Sequence, residues 1–181
     1  MVADGSADTL MSLYVLRRLN LTEAQKDEWA ATINSFQDAA SGLFLAAQFE
    51  PHYGPPVLHE HDHEHTTAFA LAALSLIDRR PAHPLTLMLQ LQANRSGWEP
   101  WLSNAAGHPS WDHRSAGVWA SLAMTGGLDP AFSSFFFDWL DAHADPKSGF
   151  ACANDMPYAG GVQIGWCASA RSVSTTDQQH G

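Results

Sequence analysis

The feature that most constrains the fold of this chain is an internal repeat. The segments HTTAFALAAL (65–74) and HRSAGVWASL (113–122) share the pattern His-x-[Ser/Thr]-Ala-x-x-x-Ala-x-Leu at an offset of 48 residues. A weaker copy, DGSADTLMSL (4–13), keeps the small residues and the last leucine but has Asp4 in place of the histidine. Repeats of this kind mark folds in which one supersecondary unit stacks on the next. The sequence therefore predicts one helical unit used three times.

A second recurring pattern follows helices of another type. DEWAATINSFQDAASGLF (27–44) and FFFDWLDAHADPKSGF (135–150) both contain Asp-x-x-Ser-Gly followed by an aromatic residue, at an offset of 107 residues. A less complete copy, PLTLMLQLQANRSGW (84–98), retains only Ser-Gly-Trp at its end. Glycine in this place favours a left-handed residue after a helix, and the aspartates Asp38 and Asp145 are predicted to stabilise these turns.

The two patterns alternate along the chain. Apolar helices rich in small residues are predicted at 6–19, 66–78 and 114–125, and amphipathic aromatic helices at 22–36, 84–93 and 131–143. Helices without a polar face are buried, whereas helices with one polar face lie outside. No alternating strand pattern is present. The predicted fold is all-α, with repeated inner and outer helical hairpins that form an incomplete α/α toroid of about three hairpins. An open helical solenoid and another helical bundle are the alternatives.

The composition limits the domain organisation and the partners. A chain of 181 residues is long enough for one domain, predicted over 1–150, and 151–181 is predicted to be an irregular or disordered tail. The net charge of −10 with scattered Lys and Arg argues against nucleic acid and against anionic membranes. No apolar run of about eighteen residues predicts a membrane span. Neither a signal peptide nor a CxxC motif is recognisable, so a cytoplasmic protein is expected.

One segment carries a family resemblance. Ile33-x3-Gln37-x4-Gly42-x-Phe44 resembles the glutamine–aromatic repeat of the terpenoid cyclase and protein prenyltransferase toroids, in which the motif joins an outer helix to a glycine turn. The third copy has Ala144 in place of the glutamine. The acidic motif of the cyclases and the zinc ligands of the prenyltransferases have no counterpart. Six-hairpin glycosidases, polysaccharide lyases and epimerases are similar in scaffold, so the resemblance implies a fragment or half of a carbohydrate-processing enzyme.

A histidine-rich tract, VLHEHDHEHTT (57–67), stands before the second inner helix. In an extended conformation its histidines would lie on one side, and imidazoles so placed suit zinc or another divalent metal. His59, His61 and His63 are the predicted ligands. The intervening acidic residues also suit the positive start of the helix that follows. A solvated loop that caps this helix, or a functional loop that lines a cleft, is therefore the alternative to a metal site.

The segment Trp111-Asp112-His113-Arg114 enters the third inner helix where the histidine tract enters the second. Equivalent positions lie on one rim of a toroid, and this predicts a catalytic site that we call the rim site: His65, Asp112, His113 and Arg114. A histidine would act as general acid or base and Asp112 would orient it or take a proton. Arg114 would bind a carboxylate or stabilise negative charge. The alternative is that each histidine only forms a helix cap, which recurs because the local turn recurs.

Aromatic residues supply a predicted ligand platform. Trp111, Tyr53 and Trp101 are predicted to bind substrate, and Trp98 and Tyr158 are further aromatic residues assigned to loops. The helical stripe Phe132, Phe136 and Trp139 is predicted to be core instead.

Three functions remain open at this stage. The first is a toroid enzyme that takes a small molecule or saccharide at the rim site. The second is a non-catalytic helical-repeat module, or an inactive truncated fragment, that self-associates through exposed terminal helices. The third is a metal-binding protein that uses the histidine tract. The first predicts that His65, His113 and Arg114 converge on one pocket.

Overall fold

The protein is described by a computed structural model over residues 3–45, 58, 61–106 and 111–144, with side chains within 5–45, 58, 63–103 and 115–144. In these ranges the chain is all-α, as predicted: it forms helices and no β-strand. Tyr53, Tyr158, Asp145 and the predicted tail lie outside the described residues. No helix among those described is long and apolar enough to cross a membrane. The helices are α1 (Ala3–Val15), α2 (Glu23–Asn34), α3 (His61–Leu76), α4 (Thr86–Ala93), α5 (Trp98–Ala106), α6 (Trp111–Thr125) and α7 (Pro130–Ala142), with a short 3-10 helix at Arg95–Gly97 before α5.

The six predicted helices are present, and two observations correct the prediction. Helix α3 begins at His61, five residues before the predicted start at 66, because no helix-breaking residue separates the histidine tract from the apolar helix. Helix α5 occupies a stretch that was predicted to be loop. Pro100 lies in the first turn of α5, where a proline is tolerated because that turn has free N–H groups in any case.

The helices that were predicted to be inner, α1, α3 and α6, end with the same backbone motif. A left-handed residue follows each helix: Arg17 with φ 54°, Asp78 with φ 56° and Gly126 with φ 73°. The next N–H then donates to a carbonyl five residues earlier, in a Schellman motif. The acceptors are Leu13, Leu74 and Leu122, at 2.8, 2.9 and 2.9 Å. These leucines are the last residues of the three repeat copies, so the sequence repeat is also a repeat of local structure.

Helix α3 packs on both α1 and α6. A Cβ atom built on Gly117 of α6 would lie 2.9 Å from the carbonyl oxygen of Glu64, so the absence of a side chain allows the two helices to approach closely. Glu64 is in the first turn of α3 and Gly117 in the second turn of α6. Beyond the other ends of these helices, Arg80 and Thr125 line one crevice. Helices α3 and α6 therefore run in the same direction with their starts together.

Buried glutamines bind the connectors that follow α3 and α6. Gln37 lies just after α2, and its Nε2 donates to the carbonyl oxygens of Gly42 at 2.8 Å and His83 at 2.9 Å. Its Oε1 accepts the His83 N–H at 2.9 Å. Gln92, at the end of α4, makes the equivalent pair with the next connector: Nε2 donates to the Gly127 carbonyl at 2.8 Å and Oε1 accepts the Asp129 N–H at 2.7 Å. We call this arrangement the glutamine clasp.

The second clasp is a feature that the sequence analysis did not recognise. Gln92-x4-Gly97-Trp98 has the spacing of Gln37-x4-Gly42, so the middle copy of the turn motif is more complete than predicted. The Nε1 of Trp98 donates to the carbonyl oxygens of Leu91 and Gln92 at the end of α4. The signal was in the sequence, but the different spacing of the aromatic residue hid it.

The outer aromatic stripe packs inward as predicted. Phe132, Phe136 and Trp139 are buried. Complete burial of one such side chain contributes about 1.5–3 kcal/mol relative to leaving it exposed. These residues place α7 against the rest of the core.

Candidate functional site

The starts of α1, α3 and α6 carry buried hydroxyl groups. Ser6, Thr67 and Ser115 occupy the same place in the three repeat copies, and all three are buried. The hydroxyl oxygen of Thr67 accepts the N–H of Phe44 at 2.9 Å and so ties the glycine turn before α3 to this helix. Each repeat copy thus places a buried polar group at the start of its helix, whereas the core around it is apolar.

Glu64 is the most unusual residue at this end, because it has no exposed surface at all. Its neighbour His63 is also buried. Glutamate is almost never completely buried unless it is paired, and buried ionisable groups are concentrated at functional sites. The sequence analysis gave Glu64 no role of its own. The available signal was its register, because Ala68 and Leu71 lie four and seven residues later on the same, otherwise apolar face of α3.

His65 is half-buried on α3, and its ring packs against Phe69 with centroids 4.2 Å apart and an interplanar angle of 32°. It therefore lies one residue from Glu64 and one helical turn before Phe69. Of the predicted rim site, His65 is the member whose side chain the structure describes.

The other members of the rim site fall in the first turn of α6, together with Trp111. Only the backbone of Asp112, His113 and Arg114 is described. Positions 113 and 114 precede Gly117 by four and three residues, so they share the face of α6 that approaches α3. The rim positions on the two helices thus lie at one end of the molecule.

Two of the three predicted metal ligands fall in helix α3 and not in an extended segment. His59 lies outside the described residues, and His61 and His63 are two residues apart in a helix, about 200° around its axis. The extended conformation considered for the tract is therefore wrong from His61 onward. Over the residues described, no group of three His, Cys, Asp or Glu side chains is arranged to hold a metal ion.

The prediction of an aromatic ligand platform is wrong for two of its tryptophans. Trp98 and Trp101 were assigned to an exposed loop, but both are buried in α5, one turn apart on the same face as Leu102. The rings of Trp98 and Phe132 pack edge to face with centroids 5.2 Å apart. Trp101 is therefore a core residue in this fold and has no surface for a ligand.

A crevice of about 260 Å³ lies at the opposite end of the molecule from the rim site. It is lined mainly by the connector between α3 and α4, with Leu89 of α4 and the end of α6. Beneath this connector, Asp38 accepts hydrogen bonds from the Ser41 hydroxyl at 2.6 Å and from the Ser41 N–H at 2.7 Å. These bonds hold the pKa of Asp38 below its ordinary value of 3.8. The predicted role of Asp38 in stabilising its turn is confirmed.

Comparison of the chain with protein-family models, curated proteins and solved structures finds no match. The assignment of function therefore depends on the geometry at the starts of α3 and α6.

Proposed function

We propose that the chain is a carbohydrate-processing unit with the hairpin arrangement of an α/α toroid, and that its rim site performs acid–base chemistry on a saccharide. The observation that carries this proposal is the completely buried Glu64 in the first turn of α3, where the start of α6 packs against it. A carboxylate so deeply buried, close to histidine and arginine positions, is typical of a site that transfers protons or binds charge.

The side chains at these positions define the roles. His65 or His113 is the general acid or base, since an imidazole changes its charge near neutral pH. Asp112 orients an imidazole, and Arg114 binds a substrate carboxylate through its planar pair of donors. The substrate class that combines a carboxylate with a sugar ring is a uronate-containing saccharide.

The arrangement of the hairpins supports the toroid part of the proposal. Helices α1, α3 and α6 end in the same backbone motif, and glutamine clasps connect α2 and α4 to the connectors that follow α3 and α6. Inner helices α3 and α6 run in the same direction, which is what successive hairpins of one closed or open array require.

The experiment is a turnover assay of the full chain on neutral and uronate-containing oligosaccharides, which follows both new reducing ends and the ultraviolet absorbance of unsaturated products. Activity on the uronate series that is lost in His113→Asn and Arg114→Lys supports the proposal. His83→Asn is the matched control, since His83 lies in the connector at the opposite end. Equal activity in all three variants, or no turnover of any saccharide by a folded wild-type chain, contradicts it.

A second candidate function is a helical-repeat module that binds another protein surface or its own copy. The observation in its favour is the apolar end of α1, where Tyr14, Val15 and Leu16 are 58%, 75% and 65% exposed. Light scattering across a concentration series tests it with Val15→Ser and Leu16→Ser combined. Leu89→Ser is the control, because Leu89 is an exposed leucine elsewhere. A monomer at all concentrations in wild type and variants counts against self-association.

A further inference from the structure

Helix α1 presents an outward face that is acidic at its start and apolar at its end. Asp8 and Ser12 are four residues apart, and Val15 and Leu16 follow Ser12 by three and four residues, so all four share one side of the helix. Leu16 still continues the helix, since its N–H donates to the Ser12 carbonyl at 3.0 Å. All four residues are exposed. We call Val15 and Leu16 the apolar pair.

Two exposed arginines, Arg17 and Arg18, follow the apolar pair directly, and we call them the basic pair. Neither has an ion pair or a side-chain hydrogen bond within the part of the chain that the structure describes. Arg17 has a left-handed φ of 54°, which is unfavourable for a residue with a side chain. At the equivalent place after α3, Asp78 makes an ion pair with Lys26 at 3.5 Å. A partner outside the chain would give the charge of Arg17 a comparable use.

The outward face of α1 is complementary to a second copy of itself. If two α1 helices lie antiparallel and cross at Ser12, the acidic start of each helix is beside the basic end of the other. Along the helix axis, Asp8 lies about 6 Å before Ser12 and Arg17 about 7 to 8 Å after it, so opposite charges meet at nearly the same level. The small side chain of Ser12 allows the two helices to approach closely at the crossing.

We propose that α1 is the contact surface of a twofold-symmetric dimer of this chain. Asp8 of each copy pairs with the basic pair of the other copy at both ends of the contact. The apolar pair, 75% and 65% exposed in the single chain, is covered between the two helices. A twofold axis brings one surface against itself in the reversed direction, which is the arrangement that this distribution of charge requires.

Other partners suit the outward face less well. An acidic peptide would satisfy the basic pair but would place a like charge near Asp8, which is unfavourable. An anionic lipid surface attracts basic residues, but it repels Asp8 on the same face and a chain with a net charge of −10. A second copy satisfies both ends of the face at once.

The proposed contact is small, so the dimer is expected to be weak. Helix α1 has 13 residues and is about 20 Å long, and one face of such a helix is smaller than the roughly 800 Å² that each partner buries in a stable interface. The dilute chain is therefore monomeric, and dimers form as the concentration rises. This inference rests on the second candidate function, self-association, for which it names the surface and the geometry. It requires no chemistry at the rim site.

The test is an exchange of charges between two variants of the full chain, measured by sedimentation equilibrium over a concentration series at low salt. One variant is Asp8→Arg, and the other combines Arg17→Asp with Arg18→Asp. Each variant alone places like charges together at both ends of the contact, and its dimer dissociation constant is expected to rise by about tenfold or more. An equimolar mixture restores opposite charges at both ends and is expected to return to within about threefold of the wild-type constant.

Glu28→Arg is the matched control, because it makes the same change of charge at an exposed glutamate on α2 and is expected to leave the dissociation constant unchanged. Circular dichroism shows whether each variant is folded. If the double variant does not fold, Arg18→Glu takes its place in the mixture with the same criterion, since it leaves the left-handed Arg17 in place.

Three results would overturn the proposal. A wild-type chain that remains monomeric up to about 1 mM removes the dimer and self-association together. Self-association that persists in either variant alone, or that the mixture fails to restore, removes the α1 contact but leaves the second candidate function standing. Binding of the monomeric wild type to phosphatidylserine vesicles, lost in the double variant, assigns the outward face to a lipid surface. None of these results bears on saccharide turnover, so the rim site is judged separately.

Discussion

Gln37 and His83, 46 residues apart in the chain, exchange two hydrogen bonds of 2.9 Å between the side-chain amide of Gln37 and the backbone N–H and carbonyl of His83. The amide mimics a β-bridge: it satisfies both the N–H and the carbonyl of His83 in a connector that has no secondary structure. Asn34, three residues earlier in the chain, bonds to two residues of the same connector: its Nδ2 donates to the Arg80 carbonyl and its Oδ1 accepts the Ala82 N–H. The connector between α3 and α4 is therefore fixed by amide side chains from the preceding hairpin.

The glutamine clasp is expected to be a major contributor to stability. Gln37→Leu keeps the side-chain volume but leaves polar groups of Gly42 and His83 without their bonds. A cost of about 2–4 kcal/mol in the free energy of unfolding is expected. Gln90→Leu, at an exposed glutamine on α4, is the control for the same substitution. Urea unfolding monitored by circular dichroism measures both, and a difference below the error of the method would contradict the role of the clasp.

Alanine substitutions at Gly42 and Gly126 separate the stability cost of overpacking from the stability cost of backbone strain. Both are left-handed, with φ 78° and 73°. A Cβ on Gly126 would meet nothing within 4 Å, whereas on Gly42 it would overlap the carbonyl oxygen of Pro84. Gly126→Ala is therefore expected to cost about 1–2 kcal/mol, from strain alone. Gly42→Ala is expected to cost roughly 3–5 kcal/mol, because overpacking is added. Equal thermal midpoints for the two variants would be inconsistent with this view.

Stability at acid pH is expected to depend on Asp38. Hydrogen bonds from Ser41 lower its pKa in the folded state, so its contribution is complete above the unfolded value near 3.8 and is lost as the pH falls through the lower folded value. The stability difference between wild type and Asp38→Asn should thus be largest at neutral pH and shrink below about pH 4. Urea midpoints at several pH values measure it, and Asp8→Asn is the control for removal of an exposed negative charge. A pH-independent difference would show that the hydrogen bonds do not require the ionised carboxylate.

The two tryptophans of α5 should respond differently to the loss of the indole N–H. Trp98 donates to two carbonyl oxygens at 3.1 Å. The Trp101 Nε1 atom is buried and has no hydrogen-bond partner in the structure as described. Trp98→Phe should therefore cost about 1–2 kcal/mol more than Trp101→Phe, since both lose similar apolar area. Chemical denaturation of the two variants provides the comparison, and the opposite order would mean that Trp101 has a partner beyond the described residues.

The metal content of the purified protein tests the third function considered, metal binding through the histidine tract. Because α3 begins at His61, positions 61 and 63 fall on different faces of this helix. We expect protein purified without an affinity tag to retain no stoichiometric divalent metal after dialysis, by elemental analysis. One equivalent of zinc that disappears in His63→Ala would reverse this expectation and favour the metal-binding function.

Most of the secondary structure was predictable, and the reason is local. The apolar helices show no polar face, and the capping box of Thr22 and Gln25 marks the start of α2 in sequence as it does in structure. The sequence predicted where the candidate site lies, but not all of the residues that form it. The repeat placed His65 and His113 at equivalent helix starts, but the burial of Glu64 could be predicted only from its register with Ala68 and Leu71, once α3 was known to include the acidic tract.

The sequence by itself determined the helices and the glycine turn at Gly42, because helix propensity, hydrophobic period and positive φ are properties of neighbouring residues. Tertiary structure alone decided that Trp101 enters the core, that Gln92 binds the connector at Gly127, and that Glu64 lies against Gly117. Each of these depends on which distant segment packs alongside. Burial, and hydrogen bonds between residues 30 or more positions apart in the chain, depend on how whole helices pack against one another. A short stretch of sequence does not contain that information.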